Sequence, residues 1–342
     1  MKIVIVAGTT GGHLYPGLAV ARACSDDQIL FVGSKKGQIT QTEFPQTSIL
    51  AQPFARRISL AALSLPLILF FGFLQSLRIL LRFRPDVVFS CGGSVSLPVI
   101  IAAKILGIKI VLHEPNVFPG LANRIGAKIA DRVTLGWEKS LQYFSDRKTI
   151  VTGIPVRKKI IEAHKVKLPK TTILVMGGSQ GARSIDKTVL EMVSSLALRN
   201  DLQIVHLSGV NDYAAIKNYS SEFYRVMPYS ENVEECFALA DLVVSRAGAS
   251  TLAEITVRGL PAILIPYPYA TEKHQEYNAK MLEEAGAAII IPNNKLSNAS
   301  LSSIILKLLD NPEKLRMMGE KSRTLARPDA ALKVKEVIHE VS

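Results

Sequence analysis

Short apolar runs rich in Val and Ile alternate along this chain with longer stretches whose apolar residues recur at helical spacing. In the first half, Ile3–Ala7, Ile29–Val32, Val87–Ser90 and Ile108–Leu112 predict strands, while Pro16–Ala23 and Leu97–Leu106 predict helices. The second half repeats the theme with strands at Ile173–Met176, Ile204–Leu207, Leu242–Ser245, Ala262–Pro266 and Ala288–Ile291. Helices are expected there around Ser184–Leu196, Val233–Ala240, Ser250–Arg258 and His274–Glu284, with helical stretches from Ser297 to the end. Strands this apolar suit burial on both faces, so the pattern predicts an α/β protein of parallel sheets covered by helices. The first strand of each half ends in glycines: GTTGGH at residues 8–13 and GGSQG at residues 177–181. Two such units predict two similar domains, joined near Gly153–Arg157, with a ligand held between them.

One stretch breaks the alternation. Ile58–Leu77 is almost wholly apolar, is flanked by Arg56 and Arg57 and by Arg78, Arg82 and Arg84, and no acidic residue occurs from 56 to 84. Its length is enough to span a bilayer, but strands of one parallel sheet precede and follow it, which keeps both ends on one side. It is either a buried helix pair of the first domain or a helix lying in a membrane interface. In the second case Leu67, Phe70, Phe71 and Phe73 enter lipid while Arg78 and Arg82 meet anionic headgroups. The coincidence of charge and apolarity favours the interface.

Composition narrows the classes. The 342 residues accommodate two domains, and an apolar content of 48% supports large cores. Aromatic residues make up only 6%, and no basic patch is interleaved with stacking rings, which argues against nucleic acid. Cys24, Cys91 and Cys236 are widely spaced and odd in number, so neither a disulfide framework nor a zinc site is indicated and a reducing cytoplasm fits. Met1 leads straight into a strand, which makes export an unfavoured expectation. Residues 1–150 carry 17 Lys/Arg against 8 Asp/Glu, a net +9 of the total +12, so an acidic partner is expected to meet the first half.

The glycines at 8, 11 and 12 allow close backbone approach to a ligand, and the helix after them offers its positive end to a diphosphate. His13 is placed to act as a general base or merely to contact phosphate. His113-Glu114-Pro115-Asn116 follows a strand, where open α/β sheets bind ligands, and Glu114 could be a base or hold a sugar hydroxyl. Ser179 and the amides of residues 177–181 can cradle a phosphate. Arg157 can neutralise a diphosphate or be an ordinary solvated residue beside Lys158 and Lys159. SRAGASTLAE at 245–254 is a strand end, a small-residue turn and a capped helix start, with Glu254 one turn in, suited to a ribose diol. Gln275 and Asn278 share one helical face. No carboxylate cluster suited to a metal appears.

These motifs, TGGH, HExN, GxPVR, GGSQG, RAGAxTxxE and QxxN, occur in one order over nearly the whole chain, and in that combination the chain resembles the MurG family. The resemblance implies a GT-B fold, with two Rossmann-like parallel-sheet domains facing across a cleft. The acceptor and membrane-facing domain would be 1–157, with the last helix, about 326–342, packing back on it, and the donor domain 158–325. It implies an inverting, cofactor- and metal-independent transfer of N-acetylglucosamine from UDP-GlcNAc to the muramyl 4-hydroxyl of a polyprenyl-diphosphate lipid, making lipid II for peptidoglycan. His13 would be the base, Thr10, Gly11 and Gly12 the acceptor-diphosphate loop, and Asn116, Arg157, Ser179, Ala249, Ser250, Thr251, Glu254, Gln275 and Asn278 the donor set. The enzyme would sit on the cytoplasmic face of the bacterial plasma membrane, against an anionic surface and near other cell-wall synthesis proteins. Two positions depart from the family pattern: Thr9 replaces a glycine, and GGSVSLP at 92–98 replaces GGYVSGP, at Ser94 and Leu97. A glycolipid synthase, a sugar-nucleotide epimerase and a non-catalytic UDP-sugar sensor are the rival classes.

Overall fold

The computed structural model describes residues 1–8, 11–34, 42–52, 65–178, 180–197, 199–228 and 232–342. The chain forms two compact units, Met1–Arg157 with Arg327–Ser342, and Lys158–Ala326. Thr9, Thr10, Ser179, Arg56, Arg57 and residues 58–64 lie outside the described residues.

The first unit holds strands β1 (Lys2–Val6), β2 (Gln28–Ser34), β3 (Gln46–Ile49), β4 (Val87–Ser90), β5 (Lys109–Glu114), β6 (Arg132–Leu135) and β7 (Thr149–Val151). All pair in parallel, in the order β3-β2-β1-β4-β5-β6-β7. Alternate residues of each strand feed opposite faces. Ile3, Ile5, Phe31 and Phe89 pack on one face with α1 (Gly11–Ala23) and with Val334, Val337 and Ile338 of the final helix. Val4, Val6, Val88 and Ile110 pack on the other with Leu80, Val99 and Ile100. β3, β6 and β7 escape the apolar pattern because they are short and carry Gln46, Thr47, Arg132 or Thr149. Helix α1 starts at Gly11 rather than at the expected Pro16, so Gly11, Gly12 and His13 form its first turn. The proline is tolerated there at the loss of the one bond its absent N–H would have made.

The exceptional apolar stretch yields helix α2 (Leu65–Phe83), which by length and composition could cross a membrane. Its neighbours in sequence, β3 and β4, belong to one sheet, and Gly72, Ser76 and Leu80, spaced by four, are its only buried residues. A side chain at Gly72 would collide with the Leu50 carbonyl, so the glycine is what lets the helix lie against the sheet edge. A buried helix pair is therefore not what residues 65–83 form. Leu67, Phe70 and Phe71 are exposed, as are Leu74 and Leu81. Phe73, expected on the same apolar side, is only partly exposed and packs in part against the sheet core. Helices α3 (Ser96–Ile105) and α4 (Leu121–Ile129) follow on the same face.

The second unit, which begins with the short α5 (Lys158–Glu162), holds β8 (Thr171–Met176), α6 (Arg183–Leu196), β9 (Leu202–Leu207), α7 (Tyr213–Ile216), β10 (Tyr224–Met227), α8 (Val233–Leu239), β11 (Leu242–Ser245), α9 (Ala249–Arg258), β12 (Ala262–Leu264), α10 (His274–Glu284) and β13 (Ala288–Ile290). Its parallel sheet runs β10-β9-β8-β11-β12-β13. β10, with Arg225 exposed mid-strand at the sheet edge, is the strand that the apolar pattern does not reveal. Helices α11 (Asn298–Leu309) and α12 (Pro312–Thr324) close the unit. The chain then returns to the first unit as α13 (Ala330–Val341).

Candidate active site

In each sheet the strand order reverses beside its first strand, between β1 and β4 and between β8 and β11. Ligands bind open α/β sheets outside the strand ends at such points. In the first unit the crevice is occupied by His13. Its Nδ1 lies 2.8 Å from the carbonyl oxygen of Cys91, at the end of β4. A carbonyl only accepts, so the proton sits on Nδ1 and the lone pair on Nε2. The ring is gripped by glycines: a Cβ at Gly8 would come within 2.9 Å of its Cδ2, and one at Gly93 within 3.5 Å. Gly92 and Gly93 have φ of +89° and +88°, a conformation that side-chain-bearing residues rarely adopt.

The HExN motif behaves differently from expectation. Glu114 is buried and accepts from the Asn116 backbone at 2.8 Å, Asn116 Nδ2 at 3.1 Å, Gly120 N at 3.1 Å and Asn123 Nδ2 at 2.8 Å. Burial pushes its carboxyl up to about 7 against the pull of these donors. With all this bonding spent on the loop, Glu114 is a corner brace, not a base or sugar ligand. His113 is fully buried, and burial with His13 nearby pushes it down to about 3, so it stays neutral. Asn116 remains half-buried at the loop surface, its carbonyl accepting from Ser140 Oγ. Arg157 belongs to the first unit, where its guanidinium stacks 4.3 Å over the Tyr15 ring of α1.

In the second unit the motifs converge on the ends of β8, β11 and β12. Arg246 donates to the carbonyls of Ile265 (3.0 Å) and Pro266 (3.2 Å), to Asn293 Oδ1 (2.9 Å) and to Ser184 Oγ (2.8 Å). All four acceptors are neutral, and burial lowers the guanidinium's pKa. One side chain thus ties together the start of α6, the β11 loop and the β12 loop. Gln275 and Asn278, three residues apart on α10, grasp both backbone groups of a single residue. The Ala247 N–H donates to Gln275 Oε1 at 3.1 Å, and Asn278 Nδ2 donates to the Ala247 carbonyl at 3.2 Å. Tyr267 N also donates to Gln275 Oε1, at 2.9 Å, so the Gln275 Nε2 group is the part that can serve a ligand. Asn278 is fully buried, and its Nδ2 positions Ala247. Beyond Ala247, α9 begins with buried Ala249 and half-buried Ser250 and Thr251, and Glu254 lies at 7% exposure.

Nothing local in the sequence marks Cys91 as the partner of His13 or Ala247 as the residue held by α10. The exposed face beside α2 does carry a sequence signal. Ile101 and Ile105 on α3 and Leu121 and Ile125 on α4 are exposed at helical spacing, with Lys104 and Lys128 beside them. Helices α2, α3 and α4 contain no acidic residue. One candidate cation cluster among the described residues, Cys24, Asp27 and His339, is ill suited to a metal. Burial pushes the thiol up to about 12, and the Asp27 oxygens are held by the N-terminal ammonium and His339.

Comparison with known proteins turns this geometry into a class. Residues 3–135 match the glycosyltransferase family 28 N-terminal domain and residues 172–338 its C-terminal domain, so the chain is a hexosyltransferase of GT-B fold. A protein of Desulforamulus reducens named UDP-N-acetylglucosamine--N-acetylmuramyl-(pentapeptide) pyrophosphoryl-undecaprenol N-acetylglucosamine transferase is 42% identical over 96% of both chains. The chain belongs to the MurG family. Acinetobacter baumannii MurG superposes with a TM-score of 0.78 at 24% identity, covering 99% of each chain. A putative UDP-N-acetylglucosamine 2-epimerase from Listeria monocytogenes gives 0.70 at 14% identity, covering 99% of this chain and 96% of that one. Structural likeness at those identities establishes the fold and does not separate transferase from epimerase.

Proposed function

We propose that this chain moves N-acetylglucosamine from UDP-GlcNAc to the muramyl 4-hydroxyl of an undecaprenyl-diphosphate-linked MurNAc-pentapeptide, giving the disaccharide lipid used for peptidoglycan. The observation that carries the proposal is the full-length similarity to transferases bearing that name. His13, held by Cys91 in the tautomer that a general base needs, supports it. The acceptor O4 attacks the anomeric carbon, the bond from that carbon to the UDP oxygen breaks, and the O4 proton passes to His13 Nε2. Inversion at that carbon gives a β-linkage. The Cys91 carbonyl then steadies the imidazolium that forms. Charge growing on UDP meets backbone amides at the glycine loop and at the start of α9, with the Arg157 guanidinium as a further cation. Glu254 holds the ribose diol, and the Gln275 amide and Asn116 contact the sugar.

The first unit is proposed to dock on the cytoplasmic face of the plasma membrane. Leu67, Phe70, Phe71, Ile101, Ile105, Leu121 and Ile125 would enter lipid, with Arg78, Arg82, Lys104 and Lys128 on anionic headgroups. The exposure of these residues on three helices free of acidic side chains supports this placement.

Incubating the protein with labelled UDP-GlcNAc and the lipid acceptor tests the reaction. Free UDP and a disaccharide lipid are expected; epimerised UDP-sugar without lipid product would overturn the proposal.

A further inference from the structure

Behind the glycine loop of the second unit lies a buried chain of polar groups that neither the motifs nor the proposed reaction uses. The Ala182 N–H, which closes the loop, donates to Asp186 Oδ2 at 3.3 Å. Asp186 Oδ1 lies 2.9 Å from His206 Nε2, and His206 Nδ1 lies 2.6 Å from the Tyr224 hydroxyl. Asp186, His206 and Tyr224 are at most 2% exposed. They come from α6, β9 and β10, so three elements of the unit converge on one peptide of the loop. A carboxylate only accepts, which puts the ring proton on Nε2, leaves Nδ1 to accept from the phenol, and gives each linking atom one partner.

The same strand end meets the loop a second time. A side chain at Gly181 would strike the Ser208 carbonyl, and one at Gly209 would strike the backbone of Gly181. The loop therefore rests on residues 208–209, two and three positions beyond His206. His206 is thus close in sequence to one support and hydrogen-bonded to the other. Buried chains of this kind hold geometry because a broken link leaves an unsatisfied group in a low-dielectric interior.

We propose that Tyr224, His206 and Asp186 are positioning residues that set the reach of the Gly177, Gly178, Gln180 and Gly181 amides, and hence the affinity for the nucleoside diphosphate. The proposal rests on the assignment of this loop to the donor. Asp186→Asn can be absorbed by reversing the chain. The amide oxygen accepts from Ala182, the amide nitrogen donates to His206 Nε2, and Nδ1–H donates to the Tyr224 oxygen. Asp186→Leu cannot be absorbed, and Tyr224→Phe removes only the terminal hydroxyl.

The test is calorimetric titration of the full-length variants with UDP, with melting curves and steady-state kinetics alongside. Tyr224→Phe is expected to weaken UDP binding about threefold to tenfold and Asp186→Leu more than about tenfold. Asp186→Asn should stay within about twofold of wild type, and KM for the lipid acceptor should be unmoved in all of them. Variants that melt earlier yet bind UDP like wild type would overturn the proposal by making the chain merely structural. If Asp186→Leu does not fold, Tyr224→Phe decides alone. Failure of the wild-type protein to bind UDP would instead remove the donor assignment, and this proposal with it.

Discussion

His13 shows how much one hydrogen bond decides. A histidine after a glycine pair can cap a helix, touch phosphate or take a proton, and local sequence does not choose among them. The Cys91 carbonyl, 78 residues away, selects the Nδ1–H tautomer and so a basic Nε2. On that ground His13→Ala is expected to lower kcat by about a hundredfold or more, with KM for UDP-GlcNAc within about twofold. Steady-state kinetics at saturating acceptor checks it, and near-normal turnover would remove His13 as an obligatory base. Residue types were a good guide where a backbone turn needed them, as at Gly92 and Gly93. They misled for Glu114, whose carboxyl is consumed in bracing a loop, and they did not show that Asn278 holds Ala247. A motif records that a residue is needed near a site, not whether it faces the ligand or holds what does.

Among the elements, α2 departs furthest from the behaviour of a core helix. Its buried stripe is three residues wide in sequence terms, Gly72, Ser76 and Leu80, while phenylalanines and leucines lie open on the other side. Paired substitution of Phe70 and Phe71 by Ser should reduce binding to vesicles of anionic phospholipid by about tenfold or more, since each buried aromatic contributes about 1.5–3 kcal/mol. Arg78→Ala with Arg82→Ala should weaken binding less and flatten its salt dependence. Co-sedimentation measures both, and unchanged binding by the phenylalanine variant would take α2 out of the docking face. The strands were legible where burial on both faces made them continuously apolar. Edge strands β3, β7 and β10 were not, because one open side tolerates polar residues.

At the scale of the whole molecule, the first unit is built from both ends of the chain. Asp27 accepts the N-terminal ammonium on one oxygen at 2.9 Å and His339 of α13 on the other at 2.9 Å. Burial alone would raise the Asp27 pKa, but the bonds from Met1 and His339 outweigh it and hold the carboxyl below its ordinary 3.8. A depressed carboxyl stabilises the fold above its unfolded pKa, and that contribution is lost as pH falls through the folded value. Asp27→Asn should therefore melt a few degrees, about 3 °C, below wild type at pH 7. The gap should close as pH falls below about 3.8; a gap that persisted there in thermal melts would rule out the ion pairs as its source.

The sequence by itself determined two parallel sheets, the glycine turns that follow their first strands, and the basic, apolar character of the first half. Those properties are written in runs of neighbouring residues, because burial on both faces and left-handed turns constrain local residue type. Only the tertiary structure decided which carbonyl orients His13, which residue Gln275 and Asn278 hold, and which side of α2 remains open. These depend on where strand ends separated by many residues are brought together, and hydrogen-bond partners at that separation leave no local pattern.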